Sequence, residues 1–409
     1  MEQGLKNYLV ITAGYWAFTI TDGAIRMLVV LYFHLLGYSP FEVAMLFLFY
    51  EFFGIVTNLV GGWLGARIGL NLIMNIGMGL QVVALAALTV PDSWLTIAYV
   101  MVAQALSGIA KDLNKMSAKA SVKTLVQDNA ESSLFKWVAI LTGSKNALKG
   151  AGFFVGAGLL QWLGFRMGLA VLSASLFMVL IVTAWLLPSG MGKMSSKPKF
   201  SQVFSKVASV NYLSAARFFL FGSRDVWFVV GLPVFLYETL GWSFTEVGAF
   251  LALWVIGYGF VQASSPKLLR QSYKGQDPTG QNARNWVILL ALIPAAIALS
   301  LQQDWPQDVV LIVGLVLFAV VFAFNSAIHS YLILAYSQHD RVAMNVGFYY
   351  MSNAAGRLAG TVLSGWAYQT HGLVGCLWWS FGFIFMAALI SMRLPAPDAP
   401  LKNSSTEPG

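Results

Sequence analysis

Arg26, Lys145, Lys149, Arg224 and Arg357 each stand well inside a stretch that otherwise reads as a membrane-spanning helix. A charge near a bilayer centre costs roughly 2.5–3.5 kcal/mol on insertion scales, so such residues face a bundle interior or a water-filled path. Arginine grips carboxylate- or phosphate-like groups through paired hydrogen bonds, and lysine acts as a mobile point charge. Helical spacing gathers these residues onto shared faces. Asp22 and Arg26 are four apart, as are Lys145 and Lys149, and Arg217 and Arg224 are seven apart with Asp225 adjacent. Adding Lys111 and Arg217 to the five gives seven bases, against four acids: Asp22, Glu51, Asp112 and Asp225. Pairing every acid leaves about three positive charges, which are costly in a low-dielectric setting unless an anion neutralises them. A multiply charged organic anion fits this set better than a sugar, a cation or a lipophilic drug.

Plainer readings accompany that one. Lys111, Lys136 and Arg217 lie near the inner face, where long side chains can snorkel to water. Asp22 and Arg26 can be a structural pair. Glu51, the outlier in the second span, can be a packing or gating ion pair. His329 reads as a satisfied polar residue before a proton carrier. Tyr349, Tyr350 and Asn353 follow Asn345 along one helix and can hydrogen-bond a substrate, although tyrosine is also common filler. No enzyme constellation is legible. There is no Gly-x-Gly-x-x-Gly or Walker loop, so no ATP engine is encoded. No His/Glu metal spacing and no Ser-His-Asp set is readable, and Cys376, the only cysteine, rules out an internal disulfide or a multi-cysteine site. No cofactor is expected.

The elements that must position these residues are transmembrane helices. The 409 residues are 58% hydrophobic and 10% charged, where a soluble chain would be about a quarter charged. Apolar runs fall near 8–33, 41–64, 71–90, 94–113, 133–160, 166–187, 210–237, 244–264, 286–301, 308–335, 342–369 and 373–392. Each run is of the length needed to cross the hydrocarbon core, so the expected class is an all-α polytopic membrane protein with twelve spans. Residues 1–8 are short and polar, and the first apolar run is too long for a signal peptide. Alternate loops carry Arg67; Lys115, Lys119 and Lys123; Lys193, Lys197, Lys199 and Lys206; Lys267, Arg270, Lys274 and Arg284; and Arg341. The opposite loops carry Asp92, Glu238, Asp304 and Asp308 with Arg166. The positive-inside rule then puts both termini in the cytoplasm. It also accounts for the net charge of +8 without nucleic acid.

The chain repeats itself. Leu36-Gly-Tyr-Ser-Pro-Phe-Glu-Val-Ala-Met matches Leu240-Gly-Trp-Ser-Phe-Thr-Glu-Val-Gly-Ala at five of ten positions, and each segment joins the first and second spans of a six-helix half. The expected organisation is an N-terminal half over 1–187, a basic cytoplasmic linker over 188–208, a C-terminal half over 209–394 and a disordered Pro/Ser-rich tail over 395–409. A parallel repeat of this kind resembles the two halves of major facilitator transporters. Gly62-Trp-Leu-Gly-Ala-Arg-Ile-Gly-Leu-Asn71 is similar to the loop motif of that superfamily, with Ala66 where the motif has an acid and Asn71 where it has a base. Gly143, Gly152, Gly156 and Gly158 partly match its antiporter motif, with Ala157 in place of the proline; packing through small residues explains them equally well. The resemblance implies that the first, fourth, seventh and tenth helices line a central path, with the fifth and eleventh near it.

Four blocks are more specific. They are Tyr15-Trp-Ala-Phe-Thr-Ile-Thr-Asp22-Gly-Ala-Ile-Arg26, Gly108-Ile-Ala-Lys111-Asp112-Leu-Asn-Lys115-Met-Ser-Ala-Lys119, Gly143-Ser-Lys145-Asn-Ala-Leu-Lys149-Gly and Phe221-Gly-Ser-Arg224-Asp225-Val-Trp. They resemble the ArsJ family of organoarsenical efflux permeases. That resemblance implies the substrate 1-arseno-3-phosphoglycerate, made from arsenate and glyceraldehyde 3-phosphate by a partner glyceraldehyde-3-phosphate dehydrogenase. Export removes an unstable anhydride that falls apart to arsenate outside. The expected function is efflux by alternating access in the inner membrane, driven by a proton gradient, with Asp22 or Asp225 taking a proton as substrate leaves. Lys145, Lys149 and Arg26 are expected to hold one end of the substrate and Arg224 and Arg357 the other, with Lys111, Tyr349 and Asn353 contributing contacts. The alternatives are an organophosphate or phosphate-type anion exchanger of the same fold, a non-transporting membrane receptor, and a membrane enzyme.

Overall fold

The structure is a computed structural model that describes residues 2–38, 46–125, 131–188, 190–191, 193, 205–242, 244–273, 276–338 and 341–395. Eleven α-helices run through them, and the described residues contain no strand. In chain order these are α1 (Glu2–Leu35), α2 (Leu48–Ile68), α3 (Leu70–Ala87), α4 (Ile97–Leu125), α5 (Glu131–Leu186), α6 (Ala208–Phe228), α7 (Gly231–Glu238), α8 (Phe244–Ser272), α9 (Gly280–Ser300), α10 (Gln307–Ala335) and α11 (Val342–Ser391). Residues 39–45 of the first repeat segment, Ser243 of the second, most of the linker (194–204) and the tail beyond Pro395 lie outside the described residues.

Among the described residues eight helical stretches are long and apolar enough to cross a bilayer, and two of them, Leu134–Leu186 and Val342–Ser391, run for 53 and 50 residues. At 1.5 Å per residue each is more than twice the ~30 Å hydrocarbon core. Each reverses at a glycine in the left-handed region, Gly164 (φ 77°) and Gly372 (φ 63°), a conformation that a side chain disfavours. Contacts along α5 trace the reversal. Trp137 packs on Tyr8 near the start of α1, Phe165 stacks on Tyr32 near its end, and the Thr183 hydroxyl returns to donate to Asn75 at 3.3 Å. α5 and α11 therefore supply two passes each, α6 and α7 together supply one, and twelve passes result among the described residues.

The second span, expected over 41–64, begins in part outside the described residues, and α2 runs on to Ile68; the fourth was expected to stop at 113, but α4 continues to Leu125. The helix continues past the last apolar residues of the expected span, and Lys115 and Lys119 therefore leave the loop and join the helix.

The halves share one hydrophobic core towards the face carrying the chain ends. The face carrying both chain ends holds a single hydrophobic cluster that includes Tyr8 and Met116 from the first half and Leu213, Ile328, Val346 and Leu394 from the second. The other cluster draws only on the second half, around Trp227, Trp254 and Phe318. Between the halves run two seams. In one, Gly143 of α5 meets Gly259 and Ala263 of α8; in the other, Gly62 of α2 meets Ala343 and Gly347 of α11. A Cβ at Gly143 would lie 2.3 Å from the Ala263 nitrogen, so the backbones touch without intervening side chains. Gly152 likewise faces the Gly23 Cα of α1, and Gly156 the Ala24 backbone, so close packing accounts for three of the four glycines in the antiporter-like series.

Candidate functional site

The buried charges converge on the junction of α1, α2, α4, α5, α6 and α11. Four-residue spacing on α4 aligns Lys111, Lys115 and Lys119 on one face, and on α5 it aligns Lys145 with Lys149. They face a polar cavity of about 90 Å³ lined also by Asp22, Arg217, Arg224, Tyr258, Ser326, Tyr350, Asn353 and Arg357. Ligand pockets usually exceed roughly 300 Å³, so this cavity is small for one. A larger concavity between α9 and α10, about 430 Å³, is lined by Leu289, Leu292, Val313 and Leu317 and carries no ionisable group. It faces outward from the bundle and offers no chemistry.

An ion-pair layer closes the cavity on the side away from the chain ends. Glu51 sits at its centre. Its Oε1 accepts from Arg26 Nη2 at 3.3 Å and from Arg357 Nη2 at 3.2 Å, while Lys111 Nζ lies 3.6 Å from Oε2. Arg357 also donates through Nε to Asp225 at 2.9 Å, and Asp225 pairs with Arg224. Lys149 pairs with Asp22 at 3.0 Å, and the Tyr50 hydroxyl donates to the same carboxylate at 2.5 Å. Asp112 is shared by Lys115 and Lys111. The side chains of Arg26, Glu51 and Arg357 are 30%, 23% and 28% exposed, whereas that of Asp225 is 1% exposed. The layer therefore meets water on one side and buried structure on the other.

Most of the five leading bases have acidic partners. Four of them, Arg26, Lys149, Arg224 and Arg357, are ion-paired; of the five, Lys145 alone has no carboxylate within 4.0 Å among the described residues. Arg26 binds Glu51 rather than Asp22, because Lys149 and Tyr50 occupy the Asp22 carboxylate. Glu51 is no outlier: it joins the halves. Arg217 does not snorkel; it is 2% exposed, and its guanidinium lies 3.6 Å from the centre of the Phe221 ring. Lys111 is buried too. Asn353 and Tyr350 line the cavity, but Tyr349 does not and instead packs its ring 5.1 Å from the Arg217 guanidinium. His329 is buried with neither ring nitrogen hydrogen-bonded, so it is not the satisfied residue expected.

Two bases were missed as site residues. Lys115 and Lys119 were read as loop charges marking topology, yet both line the cavity and Lys119 is 2% exposed with no hydrogen-bond partner for its Nζ. The repeat at 111, 115 and 119 was the available signal, and it needed only a longer helix to be legible. Also missed was a neutral chain across the cavity floor. Asn146 donates to Gln262 (2.7 Å), Gln262 donates to Ser326 (3.0 Å), and Arg217 donates to Ser326 (3.2 Å) and Asn353 (2.9 Å). It runs from α5 through α8 and α10 to α6 and α11.

The sequence matches the Major Facilitator Superfamily over residues 11–279. The chain belongs to the major facilitator superfamily. No curated protein sequence matches it significantly. The fold superposes on the human organic anion transporter MFSD10 (TETRAN) with a TM-score of 0.75 at 14% identity, covering 94% of this chain and 99% of that one. A bacterial homologue of the iron transporter ferroportin in its outward-facing state gives 0.74 at 15% identity, covering 94% and 98%. The E. coli fucose:proton symporter FucP gives 0.73 at 10%, covering 95% and 98%. At these identities the likeness speaks to the fold. Superfamily membership and a multi-pass helical fold make this chain a membrane transporter of a small molecule rather than an enzyme. The twelve-helix, two-half architecture expected from the sequence is borne out.

Proposed function

We propose that the protein is a secondary active efflux transporter of a multiply charged organic anion, 1-arseno-3-phosphoglycerate, working by alternating access. One observation carries this reading. Nine buried or half-buried bases (Arg26, Lys111, Lys115, Lys119, Lys145, Lys149, Arg217, Arg224 and Arg357) surround the central cavity with four acids, Asp22, Glu51, Asp112 and Asp225, which leaves five formal positive charges. An uncompensated set of this size destabilises a bilayer-embedded site unless an anion visits it. A substrate with an acidic group at each end matches bases contributed by both halves.

The basic loops support placing the face with both chain ends in the cytoplasm and the chain in the inner membrane. On that assignment the shared core seals the cytoplasmic side, and the small cavity is separated from the outside by the Glu51 layer. Residues 1–187 and 209–394 are then the two moving halves, joined through the linker at 188–208. Lys111, Lys145, Lys149, Arg224, Arg357 and Asn353 face the substrate, and Arg26 holds Glu51. A partner glyceraldehyde-3-phosphate dehydrogenase supplies the substrate on the cytoplasmic side.

A proton gradient drives the cycle in this reading. Asp22 takes a proton from the outside as the anion leaves and releases it inside before the next anion binds; Asp225 is the second candidate. Co-expression with the dehydrogenase tests the assignment. Lys149→Ala and Arg224→Ala, correctly inserted, lose arsenate resistance; full resistance in both would remove these residues from the site. Unchanged dependence of Asp22→Asn vesicles on the proton gradient would remove Asp22 from coupling.

A further inference from the structure

The cavity bases fall into two chemically distinct groups. Lys111, Lys115, Lys149, Arg224 and Arg357 each have a carboxylate within 4.0 Å. Lys119, Lys145 and Arg217 have none among the described residues, although all three line the cavity. Arg217 is oriented entirely by neutral acceptors, Asn353 Oδ1 and Ser326 Oγ. These use two of the five N–H bonds of a guanidinium and leave its charge uncancelled. Among the described residues Lys119 Nζ makes no hydrogen bond, and it lies 5.5 Å from the centre of the Tyr350 ring. Lys145 comes from the other wall, one helical turn from Lys149. The three arise from α4, α5 and α6, so they span both halves.

We propose that Lys119, Lys145 and Arg217 form the primary seat for one tetrahedral oxyanion headgroup, phosphate- or arsenate-like, of the transported anion. The inference rests on the anion-transporter reading above. An anion approaching a paired base must first displace a carboxylate, and the net gain is the difference between two ion pairs. At an unpaired buried cation the whole interaction is gained. The headgroup therefore docks first on the three free cations. The paired bases act afterwards, releasing their carboxylates as the rest of the molecule arrives. The neutral chain from Asn146 to Asn353 holds Arg217 without competing for its charge. The seat also accounts for a buried lysine that no described residue hydrogen-bonds.

The free seat has a signature that a structural lysine lacks: it destabilises the empty protein. Full-length protein in nanodiscs, with 3-phosphoglycerate and inorganic phosphate as probes, separates the cases by calorimetric binding and thermal unfolding. Lys119→Gln is expected to weaken 3-phosphoglycerate binding about 10- to 100-fold, the scale of a lost charge-assisted hydrogen bond. It is also expected to unfold at a higher temperature than wild type without ligand, because a buried unpaired cation is gone. Lys119→Arg restores binding, and Lys145→Gln weakens it without abolishing folding. Inorganic phosphate bound as tightly as 3-phosphoglycerate assigns the seat to the headgroup alone; tighter binding of the organic anion adds contacts from the paired layer. Wild-type affinity in a folded Lys119→Gln protein overturns the seat while the transporter reading stands. Failure of wild type to bind either probe overturns both.

Discussion

Glu51→Gln probes how the halves hold this conformation. Glu51 contacts Arg26 at 3.3 Å, Lys111 at 3.6 Å and Arg357 at 3.2 Å. Arg26 and Lys111 belong to the same half as Glu51, so whatever those contacts contribute persists as the halves rock and cancels between conformations. Arg357 lies on α11 in the other half, at the end of a seam that begins at Gly62 and Gly347. The layer closes the cavity on the side away from the chain ends, so opening that side pulls Glu51 from Arg357 and breaks the bond. Glutamine keeps an acceptor but loses the charge. A hydrogen bond to a charged group contributes about 1.5–3 kcal/mol and a neutral one about 0.5–1.5; with the layer a quarter exposed, the loss is about 1.5 kcal/mol. That amounts to about a tenfold shift away from the present conformation. Pulsed electron–electron spin resonance reads it between spin labels at Trp94→Cys and Trp305→Cys, exposed positions in loops on the face away from the chain ends, in a Cys376→Ser background. The population with these loops further apart should rise about tenfold in Glu51→Gln. A change below twofold, or one in the opposite direction, refutes the reasoning that this bond spans the moving seam.

Other outcomes follow from the same contacts. Asp225→Asn leaves Arg224 and Arg357 facing an uncharged amide at a site with no exposure, and should destabilise the fold by about 3–5 kcal/mol, read as loss of monodisperse protein and a lowered unfolding temperature. Gly152→Val should force α5 from α1, since even a Cβ there would lie 2.6 Å from the Ile20 carbonyl oxygen; the test is loss of transport with retained insertion. On the face away from the chain ends, the Tyr32 hydroxyl and then Arg166 hydrogen-bond the exposed Asp92 carboxylate and hold its pKa below the usual value. A depressed carboxylate stabilises the fold above its unfolded pKa, about 3.9, and the contribution disappears as pH falls through the folded value. Wild type and Asp92→Asn should therefore differ in unfolding temperature by a constant amount from pH 5 to 8 and converge below about pH 4.

Hydrophobic length made the twelve passes legible, because a bilayer permits few other solutions for apolar runs of this size. Legibility failed where charge and helix coexist. Lys115 and Lys119 looked like loop because lysines flank membrane spans, yet the α4 hydrogen-bond ladder continues past them. Buried bases were visible one by one, but their partners were not. Sequence spacing pairs Asp22 with Arg26 on one helix, whereas the fold pairs Asp22 with Lys149 and Arg26 with Glu51 across helices. Pairing across helices depends on rotation and depth in the bundle, which no local spacing encodes. So the surplus of positive charge was readable, and its address was not. Counting identified Lys149 and Arg224 as prominent; geometry shows their charge already matched and leaves Lys119, Lys145 and Arg217 unmatched.

The central claim is transport of a doubly acidic organic anion through this cavity. Inside-out vesicles containing the protein, supplied outside with arsenate, glyceraldehyde 3-phosphate, oxidised nicotinamide cofactor and the dehydrogenase, measure it directly. Arsenic should accumulate in the lumen only when all four are present, saturably, and at a rate that collapses in Lys145→Gln. Arsenic entry that matches protein-free vesicles, or that proceeds equally without the dehydrogenase, would contradict it.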